Sequence, residues 1–340
     1  MGVLDLSRKA VVERRGFRPR FSMTEQLELT SQTAARTEIK MALAALFPVL
    51  IIFAVVPILI KVSEYEINPN AIIFNRFSIA IPVLGCWNGV LNLKEKSAEK
   101  PILVEFFRQK QNGLLLLLLL SGVFSGGQQL LYAWSLTQTS AANSEVLHSM
   151  TPLFTTLIGW IFLSQNFERR FLRGIAVAIC SSIILVSNDF SITIDKLQGD
   201  ALALVSAILW SGYLLVLEKL QTQFSINTIT TWTCLVGTIF LLPILLIADD
   251  DFFPHSWQVW LIIGILGTVE IFTKICLTYS LKRLSSGLVA TILLLHPAIT
   301  AILAWGLFSE TLNLLNWLAF LGILLGVYLA TSSTIEEPNL

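Results

Sequence analysis

Leu136-Thr137-Gln138-Thr139-Ser140 and Leu281-Lys282-Arg283-Leu284-Ser285 decide the architecture, because the second stretch is the counterpart of the first, 145 residues further along the chain. Around them Gly122, Ser135, Pro152, Thr155, Trp160 and Ser164 recur as Gly267, Ser280, Pro297, Thr300, Trp305 and Ser309, with no gap in the register. The chain therefore reads as two related halves. Within the loop itself the neutral pair Thr137-Gln138 is replaced by the cations Lys282-Arg283. Cationic loops stay on the cytosolic side of a membrane, so this exchange suggests halves that face opposite sides of a bilayer, the arrangement expected of a transporter.

Composition agrees with a membrane setting. Hydrophobic residues make up 54% of the chain, charged residues 14%, and the mean hydropathy is +0.72. A soluble domain carries about a quarter charged residues, so the reading is an all-α, polytopic membrane protein. The net charge of zero is uninformative, since the distribution of charge over loops is what matters. Cys86, Cys180, Cys234 and Cys276 all fall in apolar segments with no close pair, and are read as small buried hydrophobes rather than a disulfide frame or metal site.

Ten apolar runs are long enough to cross about 30 Å of hydrocarbon: 42–61, 71–92, 113–135, 142–164, 171–189, 199–219, 229–248, 257–281, 286–308 and 313–332. In lipid each must satisfy its own backbone, so each is expected as a transmembrane helix. Residues 1–40 hold eight Lys/Arg and no apolar core, which suits a disordered cytosolic tail better than a signal peptide. The first repeat is expected over 41–189 and the second over 198–332, with a short cytosolic tail at 333–340. The polar segment 93–112 has the pattern of a small amphipathic surface helix, through Ile102, Leu103, Phe106 and Phe107.

With the N-terminus inside, cytosolic segments hold nineteen Lys/Arg and outer segments only Lys61 and Lys196. That bias sets the orientation. Asp249-Asp250-Asp251 then falls outside, and both termini are cytosolic. Five runs per half invert the second half relative to the first, which places a solute site near the midplane between them. The absence of a convincing targeting peptide favours a bacterial inner membrane over an organelle.

Thr139-Ser140-Ala141-Ala142, Thr151-Pro152-Leu153-Phe154 and Phe162-Leu163-Ser164-Gln165 in one half resemble EamA-domain proteins of the drug/metabolite transporter superfamily. So do Ser285-Ser286-Gly287, His296-Pro297-Ala298 and Leu307-Phe308-Ser309-Glu310 in the other, with Asn75-Arg76-Phe77 and Gly199-Asp200-Ala201-Leu202-Ala203. The resemblance covers 42–332 and implies a carrier of amino acids, other metabolites or drugs. Ser164-Gln165 stand where that family usually has a Gly-Glu pair, and Glu145 and His148 stand where small or apolar residues are commoner.

Ionisable groups inside apolar runs are the site candidates, because a lone charge in hydrocarbon costs several kcal/mol. Glu270 and Lys274 lie four apart on one helix face; they form either a substrate or proton site, with Lys274 holding an anion, or a structural ion pair. Glu145 and His148 share a face and a depth with Gln128 and Gln129, and Gln129 aligns with Lys274 in the repeat. They suggest the outer half of a polar pathway in which Glu145 or His148 titrates near neutral pH; the alternative is a Glu145 that only reaches the headgroups. His296 is a substrate contact or a satisfied core histidine. Arg76, near the outer start of its run, is read first as snorkelling to the headgroups, with a carboxylate clamp as the alternative. Trp210 and Tyr213 form an aromatic cavity wall or an ordinary packing contact. Pro152 and Pro297 occupy symmetric positions and suggest paired gating bends, against inert kinks. Trp134, Trp232, Trp257, Trp260 and Trp317 lie near run ends as interfacial anchors. The pairs Gly122/Gly126 and Gly322/Gly326 suggest close packing within the bundle, with a homodimer seam along the last run as the alternative.

No phosphate-cradling loop, His-Glu-x2-His pattern or soluble domain for ATP hydrolysis is present in the sequence, so the reading is not an enzyme, and it calls for no metal, cofactor or nucleic acid. The expected activity is secondary transport of a small amino-acid-like or zwitterionic metabolite, proton coupling included. The rivals are a sugar-phosphate or nucleotide-sugar exchanger, weakened because 286–332 offers no basic residue for phosphate, and a non-transporting sensor or assembly factor that uses its tail. A chain lacking residues 1–40 is expected to retain solute flux in proteoliposomes; loss of flux with the protein still folded would favour the sensor.

Overall fold

The computed structural model describes residues 23–94, 112–139, 141–186, 197–248, 251–299, 302 and 314–336. Among the described residues the chain is all helical, without strands. In order the helices are α1 (Met23–Ser63), α2 (Pro69–Lys94), α3 (Asn112–Gln138), α4 (Ala141–His148), α5 (Thr151–Leu163), α6 (Arg169–Val186), α7 (Leu197–Leu220), α8 (Ile226–Ala248), α9 (Trp257–Leu281), α10 (Ser286–Leu293) and α11 (Leu314–Glu336). Two compact units are distinguished, Met1–Lys40 and Met41–Leu340. The cavity described below belongs to the second.

Among the described residues, six helical segments are long and apolar enough to cross a membrane, and three shorter apolar helices accompany them: Thr151–Leu163, Ser286–Ile299 and Trp317–Ser332. The expectation of ten uninterrupted spans needs correction at two places. Run 142–164 is divided into α4 and α5 by a turn at Ser149-Met150. Run 286–308 turns at Leu294-Leu295 after α10, and helical backbone resumes at 296–299. Proline causes both divisions: Pro152 and Pro297 follow the turns and have no N–H to donate to the carbonyl four residues back. Residues 23–40, in the polar tail, are helical as the start of α1. Glu25, Gln26, Leu27, Glu28, Leu29, Ala34 and Ala35 in that stretch are strong helix formers. The proposed surface helix at 93–112 and the acidic pair Asp249-Asp250 lie mainly outside the described residues.

Packing follows the small residues. α2 packs against α8 and α9, α3 against α7 and α8, and α6 along α11. A Cβ on Gly122 would meet Val236 and the backbone of Gly237, and one on Gly267 would meet Ile79 and the backbone of Arg76. Gly326 lies against Ala178 and Gly174 of α6, with its Cβ position 2.6 Å from the Ala178 nitrogen. The glycine face of α11 is therefore occupied within the chain and supplies no dimer seam. Its opposite side exposes Leu318, Leu321, Leu324, Leu325 and Tyr328, as a lipid-facing surface should. Cys86 and Cys180 are also exposed, against the expectation of four buried thiols, whereas Cys234 and Cys276 are buried. Ser164 ends α5 in the left-handed region, φ 52 and ψ 30. That backbone suits glycine and costs another residue about 1 kcal/mol.

The helix that carries Glu270 and Lys274 is fixed at its start by a connection in another part of the chain. Ser256 caps α9, its side chain accepting from the Val259 N–H at 3.3 Å. The Glu66 carboxylate accepts from the N–H groups of His255 and Ser256 and from the Ser256 hydroxyl. An anion at a helix N-terminus is favoured by the exposed N–H groups and the helix dipole. Asn75 Nδ2 donates to the Phe252 carbonyl at 2.6 Å, which ties α2 to the same loop. The Ser256 hydroxyl bond holds the Glu66 carboxyl below its ordinary range, against some desolvation. A carboxyl depressed on folding adds stability above its unfolded value, about 4.3, and loses it as pH falls through the lower folded value. Melting of the purified protein should therefore drop on acidification below about pH 4. Glu66→Gln should melt lower at pH 7 and converge with the wild type in acid; parallel curves would remove Glu66 as a determinant.

Candidate functional site

A cavity of about 120 Å3 lies among α1, α2, α3, α4, α5, α7, α9 and α10. Its wall includes all ten candidate contact residues read from the sequence: Arg76, Gln128, Gln129, Glu145, His148, Trp210, Tyr213, Glu270, Lys274 and His296. They come from separate helices, and two polar centres organise them.

The first centre is the carboxylate of Glu270. Arg76 Nη2 is 2.6 Å from Oε2 and Lys274 Nζ is 2.9 Å from Oε1. Gln129 Nε2 also donates to Oε1 at 2.8 Å. All three charged side chains are at most 5% exposed. Arg76 therefore does not snorkel, as its position near the start of its run suggested. Glu270 stands opposite it on α9, and a charge-assisted pair in a buried site outweighs the reach to the headgroups. Lys274 donates further to Ser125 Oγ at 2.5 Å. Its ammonium lies 4.9 Å from the Phe77 ring centre and 5.0 Å from that of Tyr213, distances at which cation–π attraction adds up to about 2 kcal/mol when desolvated. Phe77 reaches this place because it covers Gly237, where a Cβ would come within 2.6 Å of the ring. Two cations share one carboxylate, so the centre keeps one positive charge.

The bonds of this centre have a regular pattern. Ser125 and Gln129 are the repeat counterparts of Glu270 and Lys274. Gln129 bonds Glu270, and Lys274 bonds Ser125. Each position thus meets the counterpart of the other, as at an interface generated by a two-fold axis.

The second centre is Glu145. Its Oε1 is 2.6 Å from His296 Nε2, and its Oε2 accepts from the Tyr132 hydroxyl at 3.0 Å. Glu145 therefore points into the bundle, which corrects the alternative that it reaches the headgroups. His148 stands beside it with its ring 5.1 Å from Tyr132. Phe53 packs edge-on against both Trp210 and His296, and Trp210 stacks on Tyr213 at 5.2 Å. The aromatic wall thus joins the two centres.

Both helix breaks border this cavity and share one design. Met150 N–H donates to Leu147 O and Leu295 N–H to Ile292 O, equivalent tight bonds at equivalent positions. Pro152 and Pro297 leave free the carbonyls of His148 and Leu293. Thr151 Oγ1 donates to the first at 2.6 Å, and His296 Nδ1 lies 2.7 Å from the second. In each half the residue before the proline serves the carbonyl that the proline releases.

Phe53, Tyr132, Thr273 and Ser125 are the participants that sequence reasoning missed. Tyr132 follows Gln128 by one helical turn, and Ser125 is the register partner of Glu270, so spacing held a signal for both. Phe53 is one of 21 phenylalanines and carried none. Arg76 Nε, Gln129 Oε1 and Thr273 Oγ1 are buried without a hydrogen-bond partner among the described residues. These buried donors and this acceptor border the cavity.

Known proteins match along almost the whole chain. The family described as the EamA-like transporter family matches residues 40–187 and again 197–332. An uncharacterized transporter of Archaeoglobus fulgidus is 28% identical over 285 residues, 81% of this chain and 92% of its own length. The RarD protein of Escherichia coli is 22% identical over 283 residues, 81% of this chain and 87% of its own. The pseudopaline exporter CntI of Pseudomonas aeruginosa is 22% identical over 194 residues, 57% of this chain and 67% of its own. One solved crystal structure shares the fold, with a TM-score of 0.69 at 16% identity over 87% of this chain and 98% of that one.

Removing Glu270 would leave Arg76 and Lys274 buried together without a counter-charge, at a cost of about 3–5 kcal/mol. Glu270→Ala is therefore expected to lower the melting temperature far more than Gln129→Ala, and Glu270→Ala with Lys274→Met should recover part of the loss. Equal small shifts for Glu270→Ala and Gln129→Ala would show that the carboxylate does not hold the two cations.

Proposed function

Because this chain belongs to the EamA-like transporter family, we propose that it is a secondary transporter whose solute is a small amino-acid-like or zwitterionic metabolite, bound in the charged cavity. The observation that carries this reading is the Arg76–Glu270–Lys274 centre, where one positive charge remains uncompensated beside an open cavity wall. A solute carboxylate would neutralise it and take up the Arg76 Nε–H. Gln129 Oε1 and the Glu145 end of the cavity offer acceptors for an ammonium group. Size points the same way. At 10–15 Å3 per water, about 120 Å3 accommodates about ten non-hydrogen atoms, which suits an amino acid.

Transport would proceed by alternating access between two inverted five-helix halves, ten transmembrane helices in all. The crossed bonds Gln129–Glu270 and Lys274–Ser125 support such a pseudo-two-fold, as do the matched breaks before Pro152 and Pro297, which would serve as gating bends. The excess of Lys/Arg in the segments assigned to the cytosol supports cytosolic termini in a bacterial inner membrane. The pseudopaline exporter among the relatives makes export the direction to test first.

Purified protein screened for thermal stabilisation should respond to amino acids and related zwitterions, and not to the corresponding amines, sugar phosphates or nucleotide sugars. Losing one charge-assisted contact costs about 1.5–3 kcal/mol, so Arg76→Gln should weaken binding about tenfold to a hundredfold. Stabilisation by sugar phosphates alone would overturn the assignment, and so would zwitterions that bind without flux in proteoliposomes.

A further inference from the structure

The residue before each proline solves the same problem in both halves, but with different chemistry. Thr151 has one hydroxyl, which donates to the His148 carbonyl. His296 takes the equivalent place, and its ring has a second nitrogen, which reaches Glu145 in the other half. Nδ1 faces the Leu293 carbonyl at 2.7 Å, and a carbonyl can only accept, so Nδ1 carries a proton. Nε2 faces Glu145 Oε1 at 2.6 Å. The contact is an ion pair by distance, attractive only when one proton is held on the ring or on the carboxyl group; among the described residues Oε1 has no other partner, and no hydrogen-bond donor is aligned on it. Without it, a nitrogen lone pair would face a carboxylate at hydrogen-bonding distance, and the contact would be repulsive.

We infer that Glu145 and His296 form a proton-binding site whose single shared proton holds the two broken helices together across the halves. Glu145 lies one turn before the break at Ser149-Met150, and His296 follows the break at Leu294-Leu295 directly. One ion-pair contact therefore spans both breaks. Loss of the proton to the cavity breaks the link, while the Leu293 carbonyl keeps its Nδ1 bond, so the helix end survives and only the cross-connection is lost. Because the link requires the bound proton, it is present at low pH and lost as pH rises through the step at which the pair releases it. The groups facing the pair from the packed helices are Tyr132 of α3, bonded to Glu145 Oε2, His148 of α4, Tyr213 of α7, and Arg76, Glu270 and Lys274 of α2 and α9 across the cavity. A solute ammonium at Glu145 would compete with His296 for the same oxygen, which couples solute to proton. That last step rests on the transport reading above; the proton-held link does not.

The chain has three histidines, 148, 255 and 296, and His255 is exposed outside the bundle. Histidine-selective 15N labelling of the purified, solute-free protein therefore gives three ring signals with an internal reference. Glu145→Gln is expected to move the His296 step by about one pH unit or more and to leave that of His255 in place. Amide hydrogen exchange, corrected for its intrinsic pH dependence, should rise several-fold in segments 141–156 and 286–299 of the wild type as pH passes the His296 step. His296→Thr, which copies the Thr151 solution and keeps the carbonyl bond, should show raised exchange at every pH, without the step. An unmoved His296 step in Glu145→Gln, or exchange in the two segments that ignores the step, would overturn the link. Neither readout involves solute, so a link detected in a protein that binds no zwitterion would remove the solute assignment alone.

Discussion

The carboxylate of Glu270 is the group on which the interior of this bundle depends. It receives Arg76 from α2, Lys274 from one turn further along α9, and Gln129 from α3. In a low-dielectric interior each of these partners would be costly alone, and together they are mutually required. Three helices are thus fixed at one point, and the aromatic surfaces of Phe77 and Tyr213 close around the ammonium. The arrangement is not neutral. Two cations on one anion leave a positive wall.

The second constraint is the backbone at the two prolines. A broken helix inside a membrane is tolerated only where the released carbonyls find donors. Thr151 and His296 provide these donors from the adjacent position. Both breaks border the cavity, and the Glu145–His296 contact brings them together.

Much of this was legible in the sequence because it is local. Apolar run length, the repeat register and the placement of proline each act over a few residues, and they located the spans, the paired prolines and the ionisable residues within apolar surroundings. Glu270 and Lys274 were recognisable as a pair from their spacing of four. Arg76 was misread because depth along a run shows only how far a side chain must travel to water, and its choice depends on what stands opposite. Glu145 and His148 were grouped for the same local reason, being one turn apart. The structure pairs Glu145 instead with His296, in the other half of the chain. The glycines of α11 show the same limit: their spacing announced a close helix contact, but not that α6 of the same chain would fill it.

The sequence by itself therefore determined a helical, membrane-spanning chain with two related halves, the paired positions of its two prolines and the identity of the polar residues within its apolar runs. These follow from hydropathy, periodicity and the repeat register, which need no neighbour. Only the tertiary structure decided which charge meets which. Partners lie within about 3 Å, and such distances are set by how helices remote in sequence cross. It also made ten scattered candidates into the wall of a single cavity, because eight helices converge there and no one helix holds more than a few of them.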